Sequence, residues 1–217
     1  RDGEVFIKPL ERIASRDMVT EAMVMAGEAI AGYALEHSIP VPFATQAAPD
    51  KPETPEGPAA MYAYRRKMRP SQSRTQEGPH SGLGLNCYSR TTSPLRRYLD
   101  LVVHQQLRAH LAGEATLSIQ QINERISVTE PINGAVRRTE RLSNMHWKLI
   151  YLKQNPGWQG EGVVVEMADS KATLLIPELA METRLRLKAP VPLDTRVQIG
   201  LRQVDVEDQT AWFRLLG

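Results

Sequence analysis

The sequence predicts an α+β fold: a helix-rich region over residues 1–156, followed by a small five-stranded OB-type β-barrel over residues 157–217. Two observations predict it. Before Asn155 the apolar residues recur at helical spacing, as in Met18, Ala22, Ala26, Ala29, Ile30 and Tyr33. After Trp158 the pattern changes to short runs, Val163–Val165, Ala172–Ile176, Arg184–Leu187, Val197–Leu201 and Ala211–Leu215, separated by polar turns. Five such strands in so short a stretch suit a Greek-key barrel.

The elements follow in order. Val5–Ile7 reads as a strand, and Ser15 as the cap of a helix from Arg16 to about His37. The methionines of this helix read as core filling. From Pro40 to Pro58 six prolines exclude a helix or a central strand, which leaves a long surface loop. Glu77–Leu85 is glycine-rich and loop-like. Ser93 is a good N-cap and Pro94 suits the first helical position. Leu95, Tyr98, Leu99 and Val102 then define a helix from Ser93 to about Leu111. Two more helices are expected, over Ser118–Val128 and Asn133–Lys153, the second stopped by Asn155-Pro156-Gly157. No internal repeat of fixed period is present.

Composition narrows the class. With 217 residues, 41% of them hydrophobic, the chain can bury a core as one large domain or two small ones. The lone Cys87 rules out an internal disulfide and suits a reducing cytoplasm. No run of 18 consecutive apolar residues occurs, so no membrane span is expected. Arg1 opens the chain without an initiating Met, as a C-terminal piece of a longer protein would.

Charge is uneven. Net charge is only +2, yet Met61–Arg108 holds nine Lys/Arg against Glu77 and Asp100, with Tyr62, Tyr64, Tyr88 and Tyr98 interleaved. Basic groups track a phosphate backbone and aromatic faces stack on unpaired bases, so the mix fits single-stranded nucleic acid. A solvated basic loop is the plainer reading of Arg65–Arg69. Arg96 and Arg97 stand at a helix start, where partial positive charge disfavours them unless an anion sits in front. Free N–H groups and guanidinium forks there suit a phosphate. Asp100, four residues after Arg96 and three after Arg97, reads as an ion pair orienting one of them. His80, His104 and His146 are given no catalytic role.

Thr92-Ser-Pro-Leu-Arg-Arg-Tyr-Leu-Asp100 with His104 resembles the signature of the ribonuclease II/R family, whose catalytic domain is called RNB. Glu77-Gly-Pro-His-Ser-Gly-Leu-Gly-Leu85 resembles the segment before that signature, and Met18-Val-Thr-Glu-Ala-Met-Val-Met-Ala-Gly-Glu-Ala29 the family's long internal helix. The resemblance is weak over the last sixty or so residues. It implies the C-terminal half of an RNB domain over 1–156 and an S1-like barrel over 157–217. It also implies a processive 3′-to-5′ exoribonuclease that releases nucleoside 5′-monophosphates from single-stranded RNA. By the same resemblance, Arg96 holds the phosphate beside the scissile bond and Glu140 lies at the terminal nucleotide. Arg97, Arg90, Tyr88, Thr92, Ser93, Arg141, His80, Gly82, Gly84 and Glu21 are then expected along the RNA path.

One family feature is missing. The resemblance implies Mg²⁺ held by closely spaced aspartates, because metal-assisted hydrolysis needs a carboxylate cluster. Here Asp17, Asp50, Asp100, Asp169, Asp194, Asp205 and Asp208 are scattered. No metal ligand is therefore assigned, and Mg²⁺ is expected on residues outside this chain. The expected partners are single-stranded RNA and the N-terminal part of the same enzyme, covalent or separate, in the cytoplasm and away from membranes. The alternatives are a non-catalytic RNB-like module that binds single-stranded RNA, or a single-stranded DNA binder.

Overall fold

A computed structural model describes residues 3–51 and 53–216. They form two compact units that interleave along the chain. A helical unit comprises Glu11–Pro52 and Met68–Val136, and a barrel unit comprises Arg1–Leu10, Glu53–Lys67 and Arg137–Gly217. The division expected at 156/157 is a single cut, and every barrel strand falls after it.

In the helical unit, α1 spans Ala14–Glu36 and only its second half is covered. Gly27, Ala31 and Ala34 share one face and are buried. The small Ala31 and Ala34 side chains pack closely with Ile39, Val41, Phe43 and Val103. The helix begins after Ile13, which provides no side-chain cap, so Ser15 is not the expected N-cap. By length and composition alone α1 is long and apolar enough to cross a membrane. Its buried half is nonetheless a core helix of this unit. The proline-rich loop contains a short strand β1 (Phe43–Thr45), paired antiparallel with β2 (Gln72–Arg74). Three residues between prolines can pair where a longer strand could not.

The next helix of this unit, α3, spans Tyr98–Leu111 and starts five residues later than expected. Its buried face is Leu99, Val102, Val103 and Gln106. Leu95 and Tyr98, expected on that face, are 102% and 46% exposed. Leu99 and Val102 cluster with Ile122 and Ile126 of the helix that follows. Gln106 satisfies the chain around it, its amide nitrogen donating to the Pro40 and Leu117 carbonyls and its oxygen accepting from Leu117 N–H. The two expected C-terminal helices are one, α4, running Ile119–Gln154 through Pro131. Proline removes one intrahelical bond but does not break a helix whose two ends are each packed.

The barrel unit contains β3 (Gln159–Ala168), β4 (Lys171–Ile176), β5 (Met181–Arg186), β6 (Arg196–Asp205) and β7 (Thr210–Leu215). All pairings are antiparallel in the order β5-β4-β3-β6-β7, and β5 approaches β7 to nearly close the barrel. This confirms the predicted OB-type barrel. Leu149 and Leu152 of α4 join Trp158, Val164, Leu174, Ile176, Ile199 and Phe213 in its core. Bulges at Val164/Glu166 and Leu201/Gln203 bend the long strands β3 and β6. Val5–Ile7 is not a strand. The Val5 N–H donates to Gln154 Oε1 at 2.9 Å, and Ile7 packs on the barrel core.

The sequence did not reveal α2, which spans Gly57–Lys67 within the barrel unit. Pro58 in its first turn is a helix-start residue hidden among loop prolines. Gly57 is at φ +84°, and a Cβ there would meet Asp194 Oδ2 at 2.7 Å. The Asp194 carboxylate also accepts the Ala59 N–H at 2.7 Å. A side chain from the β5–β6 connection thus caps α2 at the end where negative charge is favoured.

Candidate nucleic-acid interface

The arginine pair sits on a turn, not in the first turn of a helix. Ser93 C=O accepts from Arg96 N–H at 3.2 Å and Arg97 N–H at 2.9 Å, and α3 begins at Tyr98 with Arg97 as its N-cap residue. Asp100 links this turn to the helix. Its Oδ2 accepts the Ser93 N–H at 2.9 Å and the Arg97 Nε–H at 3.0 Å, and the residue is wholly buried. Asp100 therefore ties the turn to the start of α3, while Ser93 does not act as the expected N-cap. The expected ion pair exists, and its partner is Arg97. Arg97 is further tied to Thr92 Oγ1 at 3.4 Å. Arg96 is exposed, with no carboxylate in ion-pair range among the described residues. Two adjacent arginines are thus set apart: Arg97 anchors the turn and Arg96 faces solvent.

The segment before the turn is fixed on both sides. Ser89 N–H donates to Gly27 C=O of α1, and its buried hydroxyl to Pro42 C=O at 3.0 Å. Tyr88 lies so close to α1 that a Cβ at Gly27 would meet its ring at 2.2 Å. His104 Nε2 lies 2.8 Å from Thr91 C=O, a structural role for that imidazole. Arg90 donates to Ser71 Oγ at 3.2 Å and is half-buried.

His80 is buried, its ring edge-to-face with Tyr88 at 5.8 Å between centroids. Its Nδ1 has no partner. Burial, and then the Arg90 charge, lower its pKa below the usual value. Gly82 N–H donates to Gln46 Oε1, and Gly84 adopts φ +69°. These glycines serve the packing and the left-handed turn of their own loop.

The basic tract divides on inspection. Arg66 pairs with Glu166, Lys67 with Glu53 and Arg69 with Asp50. Their charges are matched within the protein, which favours the plainer reading for most of Arg65–Arg69. Glu140 and Arg141 lie on α4, in a stretch, 135–144, that is exposed on every side. Glu140 belongs to the barrel unit, whereas Glu21, exposed on α1, belongs with Arg96 to the helical unit. Among the described residues, no three His, Cys, Asp or Glu side chains are placed to hold a metal ion. A catalytic Mg²⁺ therefore does not fit the groups present here.

Residues 50–113 match the model of the RNB domain, and 158–216 match that of the RNase II-type exonuclease C-terminal S1 domain. An uncharacterized ribonuclease of Synechocystis is 34% identical over 225 residues, covering 99% of this chain and 34% of the relative. The chloroplastic/mitochondrial ribonuclease II of Arabidopsis thaliana is 24% identical over 208 residues, covering 91% and 26%. The chain thus spans about a quarter to a third of the length of these relatives. Mycoplasma genitalium RNase R, solved with ribose-methylated single-stranded RNA, superposes with a TM-score of 0.74 at 16% identity, over 95% of this chain and 42% of that one. At that identity the likeness is one of fold. Two matched domain models in the order the family requires, a relative aligned along nearly the whole chain, and the superposed fold agree: the chain belongs to the ribonuclease II/R family, with RNB-domain sequence followed by an S1-type barrel.

Proposed function

We propose that this chain is part of a 3′-to-5′ exoribonuclease acting on single-stranded RNA, and that it supplies the phosphate clamp and the RNA channel. The observation that carries this reading is the Ser93–Arg97 turn. Buried Asp100 locks Arg97, and the lock presents Arg96, with no carboxylate partner among the described residues, to solvent beside the start of α3. A free guanidinium on this anchored turn can pair with a phosphate and stabilise charge developing on it, the electrostatic contribution that dominates phosphoryl transfer. Arg90 adds a second positive group in the same segment, and Arg97 positions its neighbour. Glu140 and Arg141 are assigned to the terminal nucleotide by resemblance. Tyr88, Thr92, Ser93, His80, Gly82 and Gly84 shape the path. The functional boundary stays at 156/157, with the barrel guiding RNA.

Mg²⁺ is assigned to carboxylates outside this chain, in the N-terminal part of the enzyme. Exposed Leu95, Tyr98 and Leu101, and Met18, Val19 and Met25 on the bare half of α1, support further chain covering these faces. The cytoplasmic setting expected from Cys87 belongs to the same proposal. The lack of a carboxylate cluster among the described residues favours a second reading, a non-catalytic module that binds single-stranded RNA.

The test incubates the chain with 5′-labelled single-stranded RNA or DNA, with and without Mg²⁺, on denaturing and native gels. A shift of RNA without shortening is expected. Mg²⁺-dependent shortening would show a metal site within the chain, and a preference for DNA would sink the RNA assignment. In the intact enzyme, Arg96→Ala is expected to lower kcat by about 10²–10³-fold. RNA affinity should change by only a few-fold. Equal losses in both would reduce Arg96 to a positioning role.

A further inference from the structure

An OB-type barrel takes single-stranded nucleic acid across its second and third strands. In this barrel those strands are β4 and β5; helix α2 packs on β3 and over the middle of β4, and Tyr62 reaches Glu182 on β5, whose outward Glu182, Arg184 and Arg186 stay exposed. The Tyr62 hydroxyl donates to Glu182 on β5 at 3.1 Å, and Arg66 pairs with Glu166 on β3 at 3.1 Å. Because β4 lies between β5 and β3, a helix bonded to both must pass over it. Asp194 fixes the start of the helix through Ala59 N–H. Thr173, in the middle of β4, is accordingly only 6% exposed.

The opposite side of the barrel is open. On β7, Phe213 is buried against Trp158, and the outward neighbours are Trp212 and Arg214. Trp212 is 42% exposed in mid-strand, opposite Gln203 of β6. The bulge at Leu201/Gln203 leaves two consecutive residues, Arg202 and Gln203, exposed beside it. Gln198 of β6 and Gln159 of β3 are exposed as well. Whereas Arg66 and Arg196 have carboxylate partners, Arg202 and Arg214 have none among the described residues. One aromatic face, two guanidiniums and several amides make a stacking platform with phosphate contacts at its rim.

We propose that the barrel binds single-stranded RNA on its β6–β7 face, with one base stacked on Trp212 and neighbouring phosphates held by Arg202 and Arg214, while α2 covers the middle of β4. This rests on the RNA-binding reading above. The occupant follows from charge complementarity and from the ring's exposure.

Fluorescence anisotropy of the whole chain with a labelled 12-nucleotide oligo(A) tests it. Trp212→Ala is expected to weaken binding by roughly 5- to 100-fold. Trp212→Phe should stay within about threefold of wild type, since a ring remains to stack on. Arg214→Gln, which leaves the aromatic platform in place, should flatten the salt dependence. Arg184→Ala, on β5, should leave affinity within about twofold. A 2-aminopurine probe should lose its stacking quench in Trp212→Ala only. If wild type binds RNA while Trp212→Ala and Arg214→Gln bind equally well, or if Arg184→Ala carries the loss, the proposal is overturned and the RNA-binding reading stands. If wild type does not bind oligo(A) at all, both fall together.

Discussion

Asp100 is the residue on which the candidate site turns. It is wholly buried, and one of its oxygens serves both the Ser93 N–H and the Arg97 guanidinium. Removing it strands two donors. Asp100→Ala is expected to cost about 2–3 kcal/mol, discounted because the Arg97 side chain is 35% exposed. Urea denaturation would measure the loss, and a cost under about 0.5 kcal/mol would show that the turn holds without it. His80 makes a pH-dependent contribution. Its folded pKa is depressed by burial, so between its folded value and the unfolded 6.5 the unfolded chain binds more protons. That stability is fully present above 6.5 and is lost as pH falls through the depressed folded value. His80→Gln should therefore show a shallower loss of stability from neutral to mildly acidic pH than wild type. Parallel melting curves across that range would contradict the assignment.

At the scale of elements, α2 illustrates how a local sequence acquires structure from a distant one. It is a short helix with three basic residues in its last turn, where they complement the helix dipole. At its other end the cap comes from Asp194, 135 residues away along the chain. Asp194→Ala removes that cap and leaves Ala59 N–H buried without an acceptor. The expected cost is about 1–2 kcal/mol of barrel stability. Faster amide exchange should be confined to α2 and the β5–β6 connection. Uniform destabilisation of the barrel, with α2 no more exchangeable than before, would contradict the capping role. The same logic explains α4: Pro131 is tolerated because Ile122 and Ile126 are buried on one side of it and Leu149 and Leu152 on the other.

At the scale of the molecule, α4 contributes Ile119–Val136 to the helical unit and Arg137–Gln154 to the barrel unit. The stretch from 135 to 144 is exposed all round and holds Arg137, Arg138, Glu140 and Arg141. No packed face protects its backbone hydrogen bonds, so it should open at low free energy. Hydrogen exchange is expected to be on the order of tenfold faster there than at Leu149–Leu152. Equal protection would mean that these residues are covered in solution. Their freedom suits groups proposed to meet a ligand, because they are committed to no internal partner.

The sequence by itself determined the fold class, the barrel's five strands, the family signature and the conjunction of Arg96, Arg97 and Asp100. These are legible because they rest on local periodicity and on fixed spacing. It also showed the scatter of aspartates. Only the tertiary structure decided which arginine Asp100 holds, because i+3 and i+4 partners are equally close along a helix and burial chooses between them. It decided that α3 begins at Tyr98, with the preceding turn held to the helix by buried Asp100. It decided that α2 exists, because its cap lies in another part of the chain. And it decided which charges are free: Arg66, Lys67 and Arg69 look like Arg96 in sequence, but only folding brings carboxylates to the first three. Spacing specifies what a segment can form, and long-range partners select which of its groups remain available to a ligand.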